Sequence, residues 1–400
     1  MRVSLVVAGL VLGVLLGNPA HAQERPLIIG VLGDMSGPYA DFGGRGSVRA
    51  VQMAVADAGG RVLGRRVEVI FGDHQNKPDI GAAVARRWYD EEGVEVIADL
   101  GNSAVALAVQ QVSREKNKIA LIVGASVSDL TGPRCSPVSA HWVYDTWGQA
   151  HNTAAAVVKT GGKSWFFITA DYVFGKTLEA SASEVVINAG GKVLGHVLVP
   201  FGATDLSSAI LQARSSGADI VALANGGADT INSIKQAAEF GLTEGGQRLA
   251  AMILYITDVN ALGLQAAQGL VLSAGFYWDQ DEATRAFSQR FLSTMKQMPS
   301  QEQAGNYSAV AHYLKGVAAA GTVDGPSVMA SMRNLPIDDF MTHGGKLRID
   351  GRVERDMFLF QVKTPSESKA PWDYYRQLAT IPAAQATRPL AEGGCPLVSK

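Results

Sequence analysis

Three short turns rich in glycine, serine and asparagine each follow an apolar run of the sequence. They are Ser36-Gly37-Pro38-Tyr39, Asp99-Leu100-Gly101-Asn102-Ser103 and Gly124-Ala125-Ser126. Backbone N–H groups at helix starts, together with serine and asparagine side chains, hydrogen-bond an anion without a full positive charge nearby. Ordinary N-capping explains one such turn. Three turns at consecutive strand ends instead favour a site for a carboxylate.

Turns in the later part of the chain carry aromatic rings where the first three are small and polar. The candidates are Tyr172 and Phe174, Tyr255 with Asp258 three residues later, and Trp278. A cleft between the two halves would then have a hydrogen-bonding wall and a flat apolar wall. The alternative is that these aromatics cover the edges of each half or line a hinge.

Motifs of common enzymes are absent from the sequence. No G-x-G-x-x-G follows the first strand, and Gly43-Gly44-Arg45-Gly46 lacks the Lys-Ser/Thr of a phosphate-binding loop. There is also no G-x-S-x-G, no H-E-x-x-H and no paired Cys-x-x-Cys. We therefore predict no catalytic residue, no cofactor and no metal site.

Short apolar runs alternate with helix-period segments, which indicates parallel α/β sheets covered on both faces. The predicted strands are Leu27–Leu32, Val67–Phe71, Val94–Ala98, Ile119–Val123, Trp165–Thr169, Val193–Val199, Ile220–Ala224, Ala250–Tyr255, Leu270–Ala274 and Met357–Val362. The predicted helices include Gly46–Ala58, Asp79–Glu92, Asp281–Met298 and Gln303–Ala320. The pattern occurs twice, on either side of the Pro- and aromatic-rich stretch Pro133–Trp147, and an irregular tail ends the chain. In such sheets ligands bind beyond the carboxyl ends of the strands, where the polar and aromatic turns lie.

The first 22 residues have the pattern of a cleaved export signal. Arg2 precedes an apolar run that ends in Ala20-His21-Ala22, so we expect the mature chain to begin at Gln23. A membrane anchor is the alternative, but the run is too short to span a bilayer. The balance of 35 Lys and Arg against 37 Asp and Glu gives no reason to expect nucleic acid as a partner.

Two cysteines occur, Cys135 and Cys395. An exported protein meets an oxidising compartment, which favours a disulfide between them. Two unpaired buried thiols are the alternative. The bridge would fix the C-terminal tail to the middle of the chain.

The order of these motifs resembles the type I periplasmic binding proteins, in the branched-chain amino acid group. The likeness begins at I-G-V-L-G-D-M-S-G-P-Y, residues 29–39, and covers nearly the whole mature chain. It implies two Rossmann-like α/β lobes joined by a hinge of about three crossings. We expect residues 23–144 with 275–348 to form the N-terminal lobe and residues 145–274 with 349–385 the C-terminal lobe. Residues 386–400 would be a tail fixed by the disulfide.

The resemblance also implies a ligand site and a role. Family members bind a ligand carboxylate with turns that match Asn102-Ser103 and Gly124-Ala125-Ser126, with the Tyr39 loop beside them. The second lobe closes with an aromatic residue, here Tyr172 or Phe174. We expect Trp147 and Trp278 near the ligand ring as well. The role implied is the periplasmic binding subunit of an ABC importer, which delivers a small molecule to a permease in the inner membrane.

The ligand class is narrowed by one departure from the amino-acid binders. These place an acid in the turn after the strand predicted at Ala250–Tyr255, where this chain has Thr257, with Asp258 one residue further on. The Asp171-Tyr-x-Phe-Gly turn, Cys135-Ser-Pro with His141-Trp142, and Cys395-Pro are similar to the subgroup that binds aromatic acids such as benzoates and cinnamates. A branched-chain amino acid remains the alternative ligand, and a sensor subunit the alternative role.

Overall fold

Two parallel β-sheets, one in each half of the chain, form the framework of the molecule. The structure is a computed structural model that describes residues 25–398. The predicted export signal at residues 1–22 lies outside the described residues.

The first sheet has six strands in the order β2-β3-β1-β4-β5-β6 and is parallel except for the β2–β3 pair. The strands are β1 (Leu27–Gly33), β2 (Arg61–Val62), β3 (Arg65–Asp73), β4 (Val94–Asp99), β5 (Ile119–Ile122) and β6 (Ser139–His141). The helices between them are α1 (Gly44–Asp57), α2 (Pro78–Asp90) and α3 (Ser103–Lys116). Strands β4 and β5 are buried almost throughout, which explains why their sequences lack polar alternation.

The second sheet has four parallel strands in the order β10-β9-β7-β8. They are β7 (Ser164–Ala170), β8 (Lys192–Val199), β9 (Ile220–Ala224) and β10 (Arg248–Ala251). The helices are α4 (Thr146–Gln149), which continues through a π-helical turn at Ala150–Ala154 into α5 (Ala155–Lys159), then α6 (Val173–Asn188), α7 (Ser207–Ser215), α8 (Ala228–Glu239), α9 (Ile256–Leu262) and α10 (Leu264–Ala267). The first and second sheets are the cores of the first and second lobe.

The last part of the chain visits both lobes again. A three-stranded antiparallel sheet is formed by β11 (Val271–Ala274), β14 (Met357–Val362) and β15 (Tyr375–Ile381), and β11 contacts β10 of the second lobe. Between these strands come α11 (Glu282–Met295), α12 (Gln301–Ala320), α13 (Gly325–Asn334), β12 (Lys346–Leu347) and β13 (Val353–Glu354), and a short helix α14 (Ala383–Ala386) follows. Helix α12 packs along α1, so this segment covers the first sheet.

The predicted α/β fold with two lobes is confirmed, and two of the predicted elements were wrong. Strand β10 ends at Ala251, and Tyr255 N-caps α9 instead of ending a strand. The stretch after Val362, predicted to be irregular, contains β15, which pairs antiparallel with β14. Its side chains are mostly exposed, so its sequence has no apolar run that would reveal a strand. The lobe boundaries at residues 144, 274 and 348 stay predictions.

Two buried arginines hold the segments that cross between the lobes. Arg352 donates to the carbonyl oxygens of His141, at 3.0 Å, and Val143, at 3.2 Å. Arg355 donates to the carbonyl oxygen of Gly275. These contacts join three separate crossings of the chain.

The predicted disulfide between Cys135 and Cys395 is confirmed, with the two Cα atoms 5.6 Å apart. It returns the tail from β15, beside the second lobe, to a loop of the first lobe. Arg388 of the tail donates to the carbonyl oxygen of Ser128 in that loop, at 3.1 Å. Among the described residues, none of the helices has the length and apolarity needed to cross a membrane.

Candidate ligand-binding cleft

A narrow cavity of about 10 Å³ lies between the lobes, at the carboxyl ends of their parallel strands. Its lining consists of Tyr39, Phe42, Gly101, Ser103, Gly124, Ser126, Tyr172, Phe174, Gly226, Ile253 and Tyr255. This volume holds about one water molecule, so the side chains that line the cavity must move apart to admit a larger ligand.

The first-lobe wall is built on the N-terminus of α3. Asn102 is the N-cap, and its side-chain oxygen accepts from the N–H groups of Ala104, at 3.0 Å, and Val105, at 3.2 Å. Ser103 Oγ accepts from the N–H groups of Ser126, at 3.2 Å, and Val127, at 3.3 Å. Because a hydroxyl oxygen with both lone pairs occupied still carries one proton, Ser103 can donate to a ligand.

The turn that carries this wall is strained. Asp99 and Leu100 have φ values of 84° and 59°, which side-chain-bearing residues rarely adopt. Each such residue costs about 1–3 kcal/mol, and such strain clusters at functional sites. The loop of Tyr39 is held in a different way, since Asp34 accepts from the N–H groups of Gly37, at 2.7 Å, and Tyr39, at 2.9 Å.

Aromatic rings close the other side of the cavity. The hydroxyls of Tyr39 and Tyr172, one from each lobe, are hydrogen-bonded at 2.5 Å. Phe42 stacks on Tyr255 with ring centroids 4.0 Å apart, and the hydroxyl of Tyr255 is hydrogen-bonded to that of Tyr144. Burial raises the pKa of Tyr39, Tyr144 and Tyr255 well above the ordinary tyrosine value. These phenols therefore stay neutral at neutral pH and can donate hydrogen bonds.

The lobes contact each other directly at the mouth of the cleft. The N–H of Ala228, at the start of α8, donates to the carbonyl oxygen of Pro38 in the first lobe, at 3.1 Å. Gly227 lies so close that a Cβ atom there would be 2.6 Å from the same oxygen. The cleft is thus closed in this structure.

Five of the residues predicted from sequence lie outside the lining of this cavity. Asn102 caps α3, and Ala125 is buried with its carbonyl oxygen 2.7 Å from His141 Nε2. Trp147 stacks on His151, with centroids 3.7 Å apart, and Trp278 Nε1 donates to the carbonyl oxygen of Trp372 at 2.8 Å. Their roles in binding stay predictions.

Asp258 is the fifth of these residues and serves as a helix cap. Its Oδ2 atom accepts from the N–H of Tyr255 at 2.9 Å, in a capping box at the start of α9. Burial raises its pKa to about 7.

The sequence analysis missed some of the lining residues. Phe42 and Ile253 carry apolar side chains that look like ordinary core residues in the sequence. Gly226 follows the second-lobe strand β9, a strand end that was not considered. The only sequence signal for Phe42 is its position three residues after Tyr39.

The fold and cavity together define a class of protein, a bilobed receptor that encloses a small ligand between two α/β lobes. A family model described as "Periplasmic binding protein" matches residues 26–369. The chain belongs to this family. Within it, the chain is a type I periplasmic binding protein of the branched-chain amino acid binding group.

Solved structures of two proteins from Burkholderia are similar over almost the whole chain. A periplasmic binding protein from Burkholderia mallei is 50% identical, has a TM-score of 0.92, and the match covers 94% of this chain and 100% of that one. A branched chain amino acid ABC transporter periplasmic ligand-binding protein from Burkholderia xenovorans LB400 is 40% identical, with a TM-score of 0.82 and coverage of 93% and 99%.

More distant proteins share the architecture. The Leu/Ile/Val-binding protein homolog 6 of Brucella melitensis is 26% identical over 60% of this chain. The match spans 61% of that relative's length. Two solute binding proteins of ABC transporters from Rhodopseudomonas palustris were solved with 3,4-dihydroxybenzoic acid and with benzoate. They are 21% and 20% identical to this chain, with TM-scores of 0.81 and 0.80. The matches cover 90% and 89% of this chain and 98% and 96% of theirs. At this level of identity they show the shared fold alone.

Proposed function

We propose that this protein is the periplasmic ligand-binding subunit of an ABC importer and that its ligand is a small aromatic carboxylate of the benzoate or hydroxycinnamate type. The observation that carries the proposal is a cavity that joins a hydrogen-bonding wall to a wall of buried aromatic rings. The protein binds its ligand unchanged and delivers it to a permease in the inner membrane.

The carboxylate would lie against the first-lobe wall. The N-terminus of α3 points its positive end at this wall, which favours an anion there. Ser103 supplies a donor hydroxyl, and Ser126 lines the same wall. Ala125 and Asn102 would act through the shape of the two turns, since neither lines the cavity.

The ring of the ligand would lie between the rings of Tyr39, Phe42, Tyr172, Phe174 and Tyr255. An aromatic pair contributes about 0.5–1.5 kcal/mol beyond the burial of apolar area. The two Rhodopseudomonas palustris proteins of the same fold were solved with benzoate and dihydroxybenzoate, which supports an aromatic acid for this chain as well.

Binding would shift the protein from an open to a closed arrangement. In the closed arrangement Tyr39 and Pro38 of the first lobe contact Tyr172 and Ala228 of the second, and opening of the lobes would separate these pairs. A ligand that touches both walls stabilises the closed arrangement. The size of this effect is the difference between the ligand's binding free energies for the closed and the open arrangement. The permease would then recognise the closed form.

A branched-chain amino acid is the second candidate, because two relatives carry that ligand class in their names. Such a ligand needs an acidic partner for its ammonium group. Asp258 is the nearest acid that the sequence offered, but it lies outside the cavity lining and caps α9. The geometry therefore favours the aromatic acid.

A thermal-shift screen of residues 23–400 tests the proposal. Benzoates and hydroxycinnamates should raise the unfolding temperature, and leucine, isoleucine and valine should not, because no carboxylate lines the cavity to pair with the ammonium group. A ligand at 100 times its Kd stabilises a protein by about 2.7 kcal/mol. Stabilisation by the amino acids alone would contradict the proposal.

A variant locates the effect in the first-lobe wall. Ser103→Ala removes the free hydroxyl proton, so it should weaken benzoate binding about tenfold in isothermal titration, as expected for a hydrogen bond to a charged group. Ser215→Ala on the exposed side of α7 is the matched control. An unchanged affinity in the Ser103 variant would place the carboxylate elsewhere.

A further inference from the structure

Glu302 is a buried acid directly behind the first-lobe wall. It lies in the first turn of α12, and its carboxyl fills the space that side chains would need at three glycines. A Cβ atom on Gly124 would be 2.2 Å from the carboxyl carbon and from Oε1, and Cβ atoms on Gly43 and Gly101 would be 2.7 and 3.3 Å from Oε1. Gly101 and Gly124 line the cavity, so only backbone separates Glu302 from a ligand there.

A second acid shares the environment of Glu302. The Asp99 carboxyl is a neighbour of the Glu302 carboxyl, and both residues are 1% exposed. Among the described residues, Glu302 Oε2 and Asp99 Oδ2 have no donor. Asn306 Nδ2 donates to Asp99 Oδ1 at 3.2 Å and to the Glu302 carbonyl oxygen at 3.1 Å. A proton held between the two carboxyls supplies the missing donor, because one of these oxygens then carries the proton and the other accepts it.

The charged groups around the pair all favour that proton. Burial raises the pKa of Glu302 well above its ordinary value, and Asp99 and then Asp34 raise it further. Burial raises the pKa of Asp99 as well. The phenols of Tyr144 and Tyr255 face the pair from the interlobe crossing and from α9, and both remain neutral.

We propose that Glu302 determines the specificity of the cleft by holding a proton, so that the wall behind the ligand carboxylate stays uncharged at that position. This inference rests on the proposed carboxylate ligand. An ionised Glu302 would repel that ligand through the gap between Gly101 and Gly124. A ligand that placed an ammonium group at the same wall would need the opposite, an ionised Glu302.

Titration calorimetry with benzoate from about pH 5 to about pH 9 tests the inference, since benzoate is ionised throughout that range. Wild-type affinity should be constant at low pH. It should fall by up to about tenfold per pH unit once the pH passes the pKa of the Asp99–Glu302 pair, because the pair then loses its proton. Glu302→Gln, which is neutral at every pH, should bind within about threefold of wild type at pH 5 and keep that affinity at pH 9.

Two further variants separate the possible outcomes. Asp99→Asn removes the acid that raises the pKa of Glu302, so the loss of affinity should move to lower pH. Glu184→Gln on the exposed face of α6 should behave as wild type. A Glu302→Gln protein that binds benzoate more than about threefold tighter than wild type at pH 5 would show that Glu302 is charged there and would overturn the inference. A loss above about tenfold at pH 5 in a Glu302→Gln protein with wild-type circular dichroism would overturn it as well. A wild-type protein that binds no aromatic acid at any pH would instead overturn the proposed function.

Discussion

At the scale of single residues, the contact between Tyr39 and Tyr172 links ligand capture to lobe closure. The two hydroxyls come from different lobes and lie 2.5 Å apart inside the cleft. Neither phenol ionises at neutral pH, because burial raises the pKa of both. Each can therefore donate to the other or to a bound ligand.

Replacing one phenol tests this link. Tyr172→Phe keeps the ring and removes the interlobe hydrogen bond, which is worth about 0.5–1.5 kcal/mol. Benzoate affinity measured by titration calorimetry should fall about two- to tenfold. Tyr374→Phe removes an exposed hydroxyl that donates to Asn260 and should leave the affinity unchanged. Equal affinities in the two variants would show that the phenol pair does not stabilise the closed form.

The sequence predicted part of the cavity at this scale. Tyr39, Ser103, Ser126, Tyr172, Phe174 and Tyr255 were identified because strand ends meet at one edge of a parallel sheet. Trp147 and Trp278 were expected near the ligand ring, but they pack against His151 and Trp372. Chain spacing locates a turn, but side-chain direction depends on neighbours that are distant in sequence.

At the scale of elements, the start of α8 is the second-lobe surface that receives the first lobe. Gly227 has φ 59° and ψ −131°, a conformation open almost only to glycine. A side chain there would also meet the Pro38 carbonyl oxygen at 2.6 Å. Two separate constraints, backbone conformation and lobe contact, thus require glycine.

A pair of variants distinguishes those constraints. Gly227→Ala and Gly263→Ala both place alanine at positive φ, but a Cβ on Gly263 meets nothing within 4 Å. Both should lower the free energy of unfolding by about 1–3 kcal/mol. Only Gly227→Ala should weaken benzoate binding, by at least about tenfold, because the clash with Pro38 opposes closure. Matched affinities in the two variants would mean that this lobe contact contributes nothing to the bound state.

The elements were more predictable from the sequence where their side chains are buried. Strands such as β4 and β5 appear as unbroken apolar runs because both of their faces are covered. Strand β15 lies at a sheet edge with most side chains exposed, so only its pairing with β14 reveals it. Strands β11 and β14 of the same sheet were predicted as apolar runs, whereas the antiparallel pairing that joins the three strands was not.

At the scale of the whole molecule, the C-terminal tail makes a further crossing between the lobes. It leaves β15 beside the second lobe and is bonded to the first lobe through Cys395 and Cys135, 260 residues apart in sequence. The two cysteines alone predicted this bridge, given an exported chain. The path of the tail could not be predicted, because it depends on the position of β15.

Removing the bridge should lower the stability of the whole protein. A disulfide that closes a long loop contributes about 2–5 kcal/mol by restricting the unfolded chain. The Cys135→Ser/Cys395→Ser variant should therefore unfold at a clearly lower urea concentration than wild type, as should the wild type in a reducing buffer. A midpoint equal to that of the oxidised wild type would show that the tail is held by its other contacts.

We propose that the cleft holds an aromatic carboxylate with its acid group on the first lobe and its ring among the tyrosines and phenylalanines. A crystal structure of residues 23–400 with benzoate tests it most directly. We expect closed lobes, with the carboxylate on Ser103 and the N-terminus of α3 and the ring between Tyr39, Tyr172 and Phe174. Benzoate bound outside the cleft, or with its carboxylate directed at the second lobe, would contradict it.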